Sequence, residues 1–131
     1  MNRRVLFVED DALLRTIYRR QTQGLFDVEV VTSGEEALAA VGATDFAVIV
    51  SDLTMPGMDG LTLAHSVRQL APRTVLIILS AHADERCQSP PKGLLHCVLD
   101  KPCPRERLLA TLEEALAIAN APVAETAASG N

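Results

Sequence analysis

The sequence predicts a three-layer α/β sandwich built around a five-stranded parallel sheet, and two observations lead there. Short apolar runs rich in Val, Ile and Leu recur at residues 4–8, 28–31, 46–51, 74–79 and 97–99, separated by longer amphipathic stretches. Strands alternating with helical patterns imply parallel βαβ units. The central runs "VIV" and "VLIIL" are apolar without alternation, which suits strands covered on both faces. At 131 residues the chain suits one domain with a real core.

The helices carry local signals of their own. Residues 12–24 place Leu13, Leu14, Ile17 and Tyr18 at helical spacing, with Asp11 as N-cap and Gly24 as C-cap. "TSGEEALAAV" reads as a capped start, Ser33 being the N-cap and Glu36 its capping-box partner. Residues 59–70 carry Leu61, Ala64, Val67 and Leu70 before Pro72 stops the helix. Between the fourth and fifth strands, Pro90 and Pro91 end any helix begun at Ala83, so a fourth helix there should be short or irregular. The last helix, from about Pro104 to Asn120, aligns Leu108, Leu112, Ala115 and Leu116, with Pro104 suited to its first turn. The small, polar "APVAETAASGN" that follows reads as a flexible tail or the start of an interdomain linker. The expected division is therefore a domain at 1–120 and a tail at 121–131.

Composition excludes several classes. Twelve basic against 17 acidic residues give a net charge of −5, which argues against direct nucleic-acid binding, since duplex binders need a cationic footprint. The apolar runs are far shorter than the roughly 20 residues a bilayer demands. Only "VLFV" follows the basic start "MNRR", too little for an export signal. A cytoplasmic protein with no membrane attachment is expected. Cys87, Cys97 and Cys103 lack any C-x-x-C pairing and His65, His82 and His96 are scattered, so reduced structural thiols are expected rather than a disulfide or zinc site.

Ligands of an open parallel sheet sit beyond the carboxyl ends of its strands, at the switch in strand order. There this chain puts Glu9 and Asp10 after the first strand, Asp52 after the third, Ser80 after the fourth and Lys101 after the fifth. Taken singly each has an ordinary reading. Asp10 and Asp11 could cap a helix, Ser80 could close a strand and Lys101 could be a solvated lysine. Gly57 and Gly60 of "MPGMDG" could supply permissive φ in a turn, and Arg3, Arg4, Arg15, Arg19 and Arg20 read as a solvated surface. Together the set is chemically coherent. Adjacent carboxylates can hold a hard dication such as Mg²⁺, and a carboxylate can attack phosphorus when the phosphoryl oxygens are neutralised by the dication, an ammonium and a hydroxyl.

These residues also carry a resemblance. "VLFVEDD", "VIVSDLTMPGMDGL", "LIILSAH" and "VLDKPC" together resemble the receiver domain of two-component response regulators over roughly residues 4–120. The spacings of 42 residues from Asp10 to Asp52, 28 to Ser80 and 21 to Lys101 suit that family. The resemblance implies a flavodoxin-like sheet in the order 2-1-3-4-5, which is itself a standard example of this topology. It implies that Asp52 accepts a phosphoryl group from a histidine on a partner kinase or phosphotransfer protein. Asp10, Asp52 and the Thr54 carbonyl would ligate Mg²⁺, with Glu9 reaching it through water. Ser80 and Lys101 would bind the phosphoryl group, and positions matching Thr54 and His82 would set how fast phosphate is lost. The implied role is signalling to a downstream effector rather than turnover of an external substrate, and phosphorylation-linked homodimerisation is compatible with it.

Three positions depart from the family's usual pattern. Glu9 replaces an Asp, Val98 stands where a Tyr or Phe usually rotates on activation, and Pro90-Pro91 falls where the fourth helix normally runs. A haloacid-dehalogenase-type phosphatase would need a second Asp two residues after the nucleophile, where this chain has Thr54. A receiver-like interaction module that is never phosphorylated is the remaining alternative.

Overall fold

The computed structural model describes residues 1–81 and 93–122. Strands β1 (Arg4–Val8), β2 (Asp27–Val31), β3 (Val48–Asp52), β4 (Val75–Ser80) and β5 (Cys97–Asp100) form one sheet in the order β2-β1-β3-β4-β5. Every pairing in it is parallel. Among the described residues the helices are α1 (Ala12–Thr22), α2 (Gly34–Ala43), α3 (Gly60–Leu70) and α4 (Arg105–Ala119). The short or irregular helix expected around Pro90 and Pro91, the part assigned to His82, Cys87 and the tail from residue 123 onward lie outside the described residues.

Successive side chains of a strand point to opposite faces, and β1 shows what that does for the core. Val5 and Phe7 join Tyr18, Leu108, Leu112 and Leu116 under α1 and α4. Leu6 and Val8 join Ala37, Leu63, Ala64 and Val67 under α2 and α3. Both faces are thereby covered, which is why β3 and β4 read as unbroken apolar runs and are buried at every position. Burying each large side chain of this core contributes on the order of 2 kcal/mol.

The caps form locally as the sequence suggests, with one shift of register. Asp11 Oδ1 accepts the Leu14 N–H at 3.1 Å and Ser33 Oγ accepts the Glu36 N–H at 3.1 Å. The Glu36 carboxylate reaches past Ser33 and takes both the N–H and the hydroxyl of Thr32, each at 2.7 Å. α1 stops at Thr22, and Gly24 makes the turn beyond it with φ of +79°.

Two apolar positions assigned to buried stripes face solvent instead. Leu13 is 69% exposed and Leu70 is 62% exposed. Leu14 and Tyr18, four residues apart on one side of α1, are the pair that packs on the sheet; Leu13, about 100° around a helix from its neighbour, cannot join them. Leu70 is the final residue of α3, where the helix leaves the sheet face. No helix among the described residues is long and apolar enough to cross a membrane.

Candidate functional site

The order of strands decides what meets what. β1 pairs with β2 on one side and β3 on the other, with Val8 directly beside Ser51. The next residues along, Glu9 and Asp10 on one strand and Asp52 on its neighbour, therefore converge at the switch point. Carboxylate oxygens of Glu9, Asp10 and Asp52 lie within 4.8 Å of one another. Glu9 and Asp52 are buried and Asp10 is exposed.

Lys101 comes to the same place because β5 carries it past the end of β4: its N–H donates to the Ser80 carbonyl at 2.8 Å, and a cis bond joins it to Pro102. Its Nζ then lies 2.9 Å from Glu9 Oε1 and 3.0 Å from Asp52 Oδ2. One ammonium thus bridges two buried carboxylates. Ser80 ends β4 in a buried position, two strands from β1. Thr54 is exposed in the loop after β3.

The charges perturb one another in consistent directions. Burial pushes the Glu9 carboxyl above its ordinary range, with the charge of Asp52 adding to the effect, while the Lys101 and Asp11 hydrogen bonds only partly offset it. Burial alone would make Lys101 easier to deprotonate; its bonds to Glu9 and Asp52 outweigh that and hold the ammonium above its usual value. Lys101 is therefore a fixed positive charge at physiological pH.

The loop after β3 is held by a close approach. A Cβ on Gly60 would lie 2.5 Å from the Asp52 carbonyl oxygen, 2.9 Å from Ile78 Cδ1 and 3.1 Å from Leu53 Cα. The Gly60 N–H donates to the Leu53 carbonyl at 2.8 Å. Gly57 has a positive φ, of +78°, and Gly60 does not. The turn reading thus holds for Gly57 alone, and Gly60 is a glycine because α3 starts against the backbone of Asp52.

Two neighbours of the site were invisible as such in the sequence. Arg15, read as part of a solvated surface, donates through Nη1 to the carbonyls of Glu9 at 3.0 Å and Asp10 at 2.8 Å, tying the acidic loop to α1. Tyr18, read as a core residue, packs against β1 beneath the site, where burial and then the charges of Glu9 and Asp52 push its phenol above the ordinary ionisation range. Val98, the non-aromatic departure, is half-buried against Leu53 and Ile78 in an aliphatic patch. Cavities of about 370 and 440 Å³ open at the opposite, amino-terminal ends of the strands, so the acidic cluster rather than a large void marks the chemistry.

The arrangement suits an Mg²⁺ ion. Ligands of an octahedral ion at about 2.1 Å stand roughly 3 Å apart when adjacent and 4.2 Å when opposite, close to the spread of these oxygens. Both Glu9 oxygens already have partners, Oε1 with Lys101 and Oε2 with the Asp11 N–H at 3.2 Å. A doubly wound sheet with carboxylates and an ammonium gathered at its switch point places the chain in the class of open α/β proteins whose ligand sites lie beyond the carboxyl ends of the strands.

The chain belongs to the response regulator receiver domain family, whose profile matches residues 5–113. It is 37% identical over 81 residues to the DNA-binding transcriptional regulator NtrC of Salmonella typhimurium, a match covering 61% of this chain and 17% of that protein. It is 27% identical over 113 residues to the regulatory protein LuxO of Vibrio cholerae, covering 83% of this chain and 24% of that one. The crystal structure of the Vibrio cholerae chemotaxis protein CheY4 superposes with a TM-score of 0.80 at 30% identity, covering 88% of this chain and all of that one. The chain thus spans less than a quarter of the length of these two curated relatives, and its role is that of a receiver in two-component phosphorelay signalling.

Proposed function

We propose that Asp52 is the phosphoacceptor of this receiver. The observation that carries the reading is the bridge from Lys101 to both Glu9 and Asp52, which sets a permanent cation against the Asp52 carboxylate at the switch point. An Asp52 oxygen attacks the phosphorus of a phosphohistidine on the partner kinase or phosphotransfer protein. The O–P bond forms as the P–N bond breaks, and the electron pair of that bond leaves with the imidazole nitrogen.

Lys101 neutralises charge on the phosphoryl oxygens, and the Ser80 side chain at the end of β4 binds the group once it is transferred. Mg²⁺, held by Asp10, Asp52 and the Thr54 carbonyl, with Glu9 behind a water, would supply the remaining neutralisation of charge. The commitment of both Glu9 oxygens to protein donors supports the water-mediated role. The chemistry is the domain's own phosphorylation and its reversal, with no external substrate turned over.

We assign residues 1–120 to the receiver unit and 121–131 to a tail or the start of an interdomain linker. The end of α4 at Ala119 and the much greater length of the curated relatives support that division.

Incubation with acetyl phosphate and Mg²⁺ tests the reading. One phosphoryl group should add at Asp52, and either Asp52→Asn or EDTA should prevent it. Phosphate found on another residue, or uptake indifferent to EDTA, refutes the assignment.

A further inference from the structure

Arg15 stands where electrostatics alone would not put it. It is the fourth residue of α1, within reach of the helix's positive end, which disfavours a cation. It also touches the loop of the acidic cluster suited to a dication, and one cation repels another. A guanidinium that opposes both the helix and the site has its reason in geometry.

That geometry is one nitrogen shared by two neighbouring carbonyls. Arg15 Nη1 donates to the Glu9 carbonyl at 3.0 Å and to the Asp10 carbonyl at 2.8 Å. The last residue of β1 to pair is Val8, with Val31 on one side and Ser51 on the other, and the chain bends at Asp10. Both carbonyls therefore lie past the end of the strand. Neighbouring carbonyls of an extended strand point to opposite sides, so a single nitrogen reaches both only where the chain turns. The other end of the tether is firm, because α1 packs on the sheet through Leu14 and Tyr18.

We propose that Arg15 is a positioning residue for the cation site: its Nη1 pins the bend at Asp10, and the pinned bend presents the Glu9 and Asp10 carboxylates to Asp52. The inference rests on the receiver reading above, which assigns those carboxylates to Mg²⁺. A guanidinium stays charged and donates at every working pH, so the hold does not titrate.

The charge and the hold act on Mg²⁺ in opposite directions, and the sign of the effect separates them. Arg15→Met keeps the aliphatic stem and removes both charge and donors. Loss of a repelling charge would tighten Mg²⁺ binding; loss of the hold should weaken it, measured by calorimetry, by roughly tenfold, the low end of what an outer-shell partner is worth to a metal site. Arg15→Lys keeps the charge on a shorter stem without the planar fork, and it too should bind Mg²⁺ less tightly than the wild type.

A second measurement needs no metal. The Asp11 N–H donates to Glu9 Oε2 at 3.2 Å across the bend. In metal-free Arg15→Met the hydrogen exchange of that amide should quicken by about fivefold or more, while Phe7 in the middle of β1 keeps its rate, because the opening is local. Arg15→Met binding Mg²⁺ as tightly as the wild type or more so, or an Asp11 amide that exchanges at the wild-type rate, overturns the proposal. A wild type that binds no Mg²⁺ would overturn the receiver reading of the acids instead, and exchange in the metal-free protein still judges Arg15.

Discussion

Replacing Gly60 with alanine should damage stability and chemistry together, and the structure sets the size of each effect. The new methyl would stand 2.5 Å from the Asp52 carbonyl oxygen, whereas ordinary contact begins at 3.4 Å, so α3 or β3 must give by about 0.9 Å. Neither yields easily. The clashing atom is backbone of a buried central strand, and Ile78 Cδ1 at 2.9 Å and Leu53 Cα at 3.1 Å close the other directions. Overpacking of this kind costs roughly 1–3 kcal/mol, offset by at most about 1 kcal/mol from alanine's better helix propensity. A net loss of about 1–2 kcal/mol follows. The displaced carbonyl belongs to the residue whose side chain must stay 3.0 Å from Lys101, and misplacing a reacting group by about 1 Å can cost on the order of 100-fold in rate.

Urea denaturation and the initial rate of acetyl phosphate uptake read the two effects. Gly57→Ala is the control. At φ +78° with no neighbour nearer than Glu35 Oε2 at 3.7 Å, it should lose about 1–2 kcal/mol to backbone strain and keep its uptake rate. A Gly60→Ala protein with wild-type stability and rate, or a Gly57→Ala protein slowed as much, would refute the argument.

Lys101→Met should cost about 2 kcal/mol at pH 7, less than the full price of an orphaned buried charge because Asp52 keeps some access to water. Glu9 already titrates above its ordinary 4.5 for reasons of burial, so its contribution to stability is fullest below that value and is lost as pH rises through the raised one. Losing the ammonium raises it further; the deficit of the variant should therefore shrink in denaturation at pH 4, and an equal deficit at both pH values would contradict this. Glu36 behaves in the opposite sense. The Thr32 N–H and then its hydroxyl hold this carboxyl below its usual range, so the stability it adds is present above pH 4.5 and fades as pH falls through the lowered value. The difference in Tm between wild type and Glu36→Gln should close on acidification, and a difference independent of pH would show that the Thr32 bonds add nothing.

What this chain states in its sequence is whatever depends on neighbours a few residues away. The alternation of apolar runs with amphipathic stretches specifies strands and helices, and Asp11 and Ser33 cap helices because the N–H groups they accept lie three residues on. The polar residues closing β1, β3 and β4 and following β5 were legible because parallel strands all end on one edge. Tertiary structure decided the rest through contacts between residues far apart in the chain. Lys101 meets Glu9 across 92 residues, and only the packing of α1 on β1 distinguishes partly buried Leu14 and buried Tyr18 from exposed Leu13. Gly60 looked like a turn glycine because a sequence shows flexibility and not proximity; the carbonyl it must make room for belongs to a strand whose position is set by the whole sheet. Tyr18 and Arg15 joined the site for the same reason, since a helix's distance and rotation against its sheet are properties of the folded core.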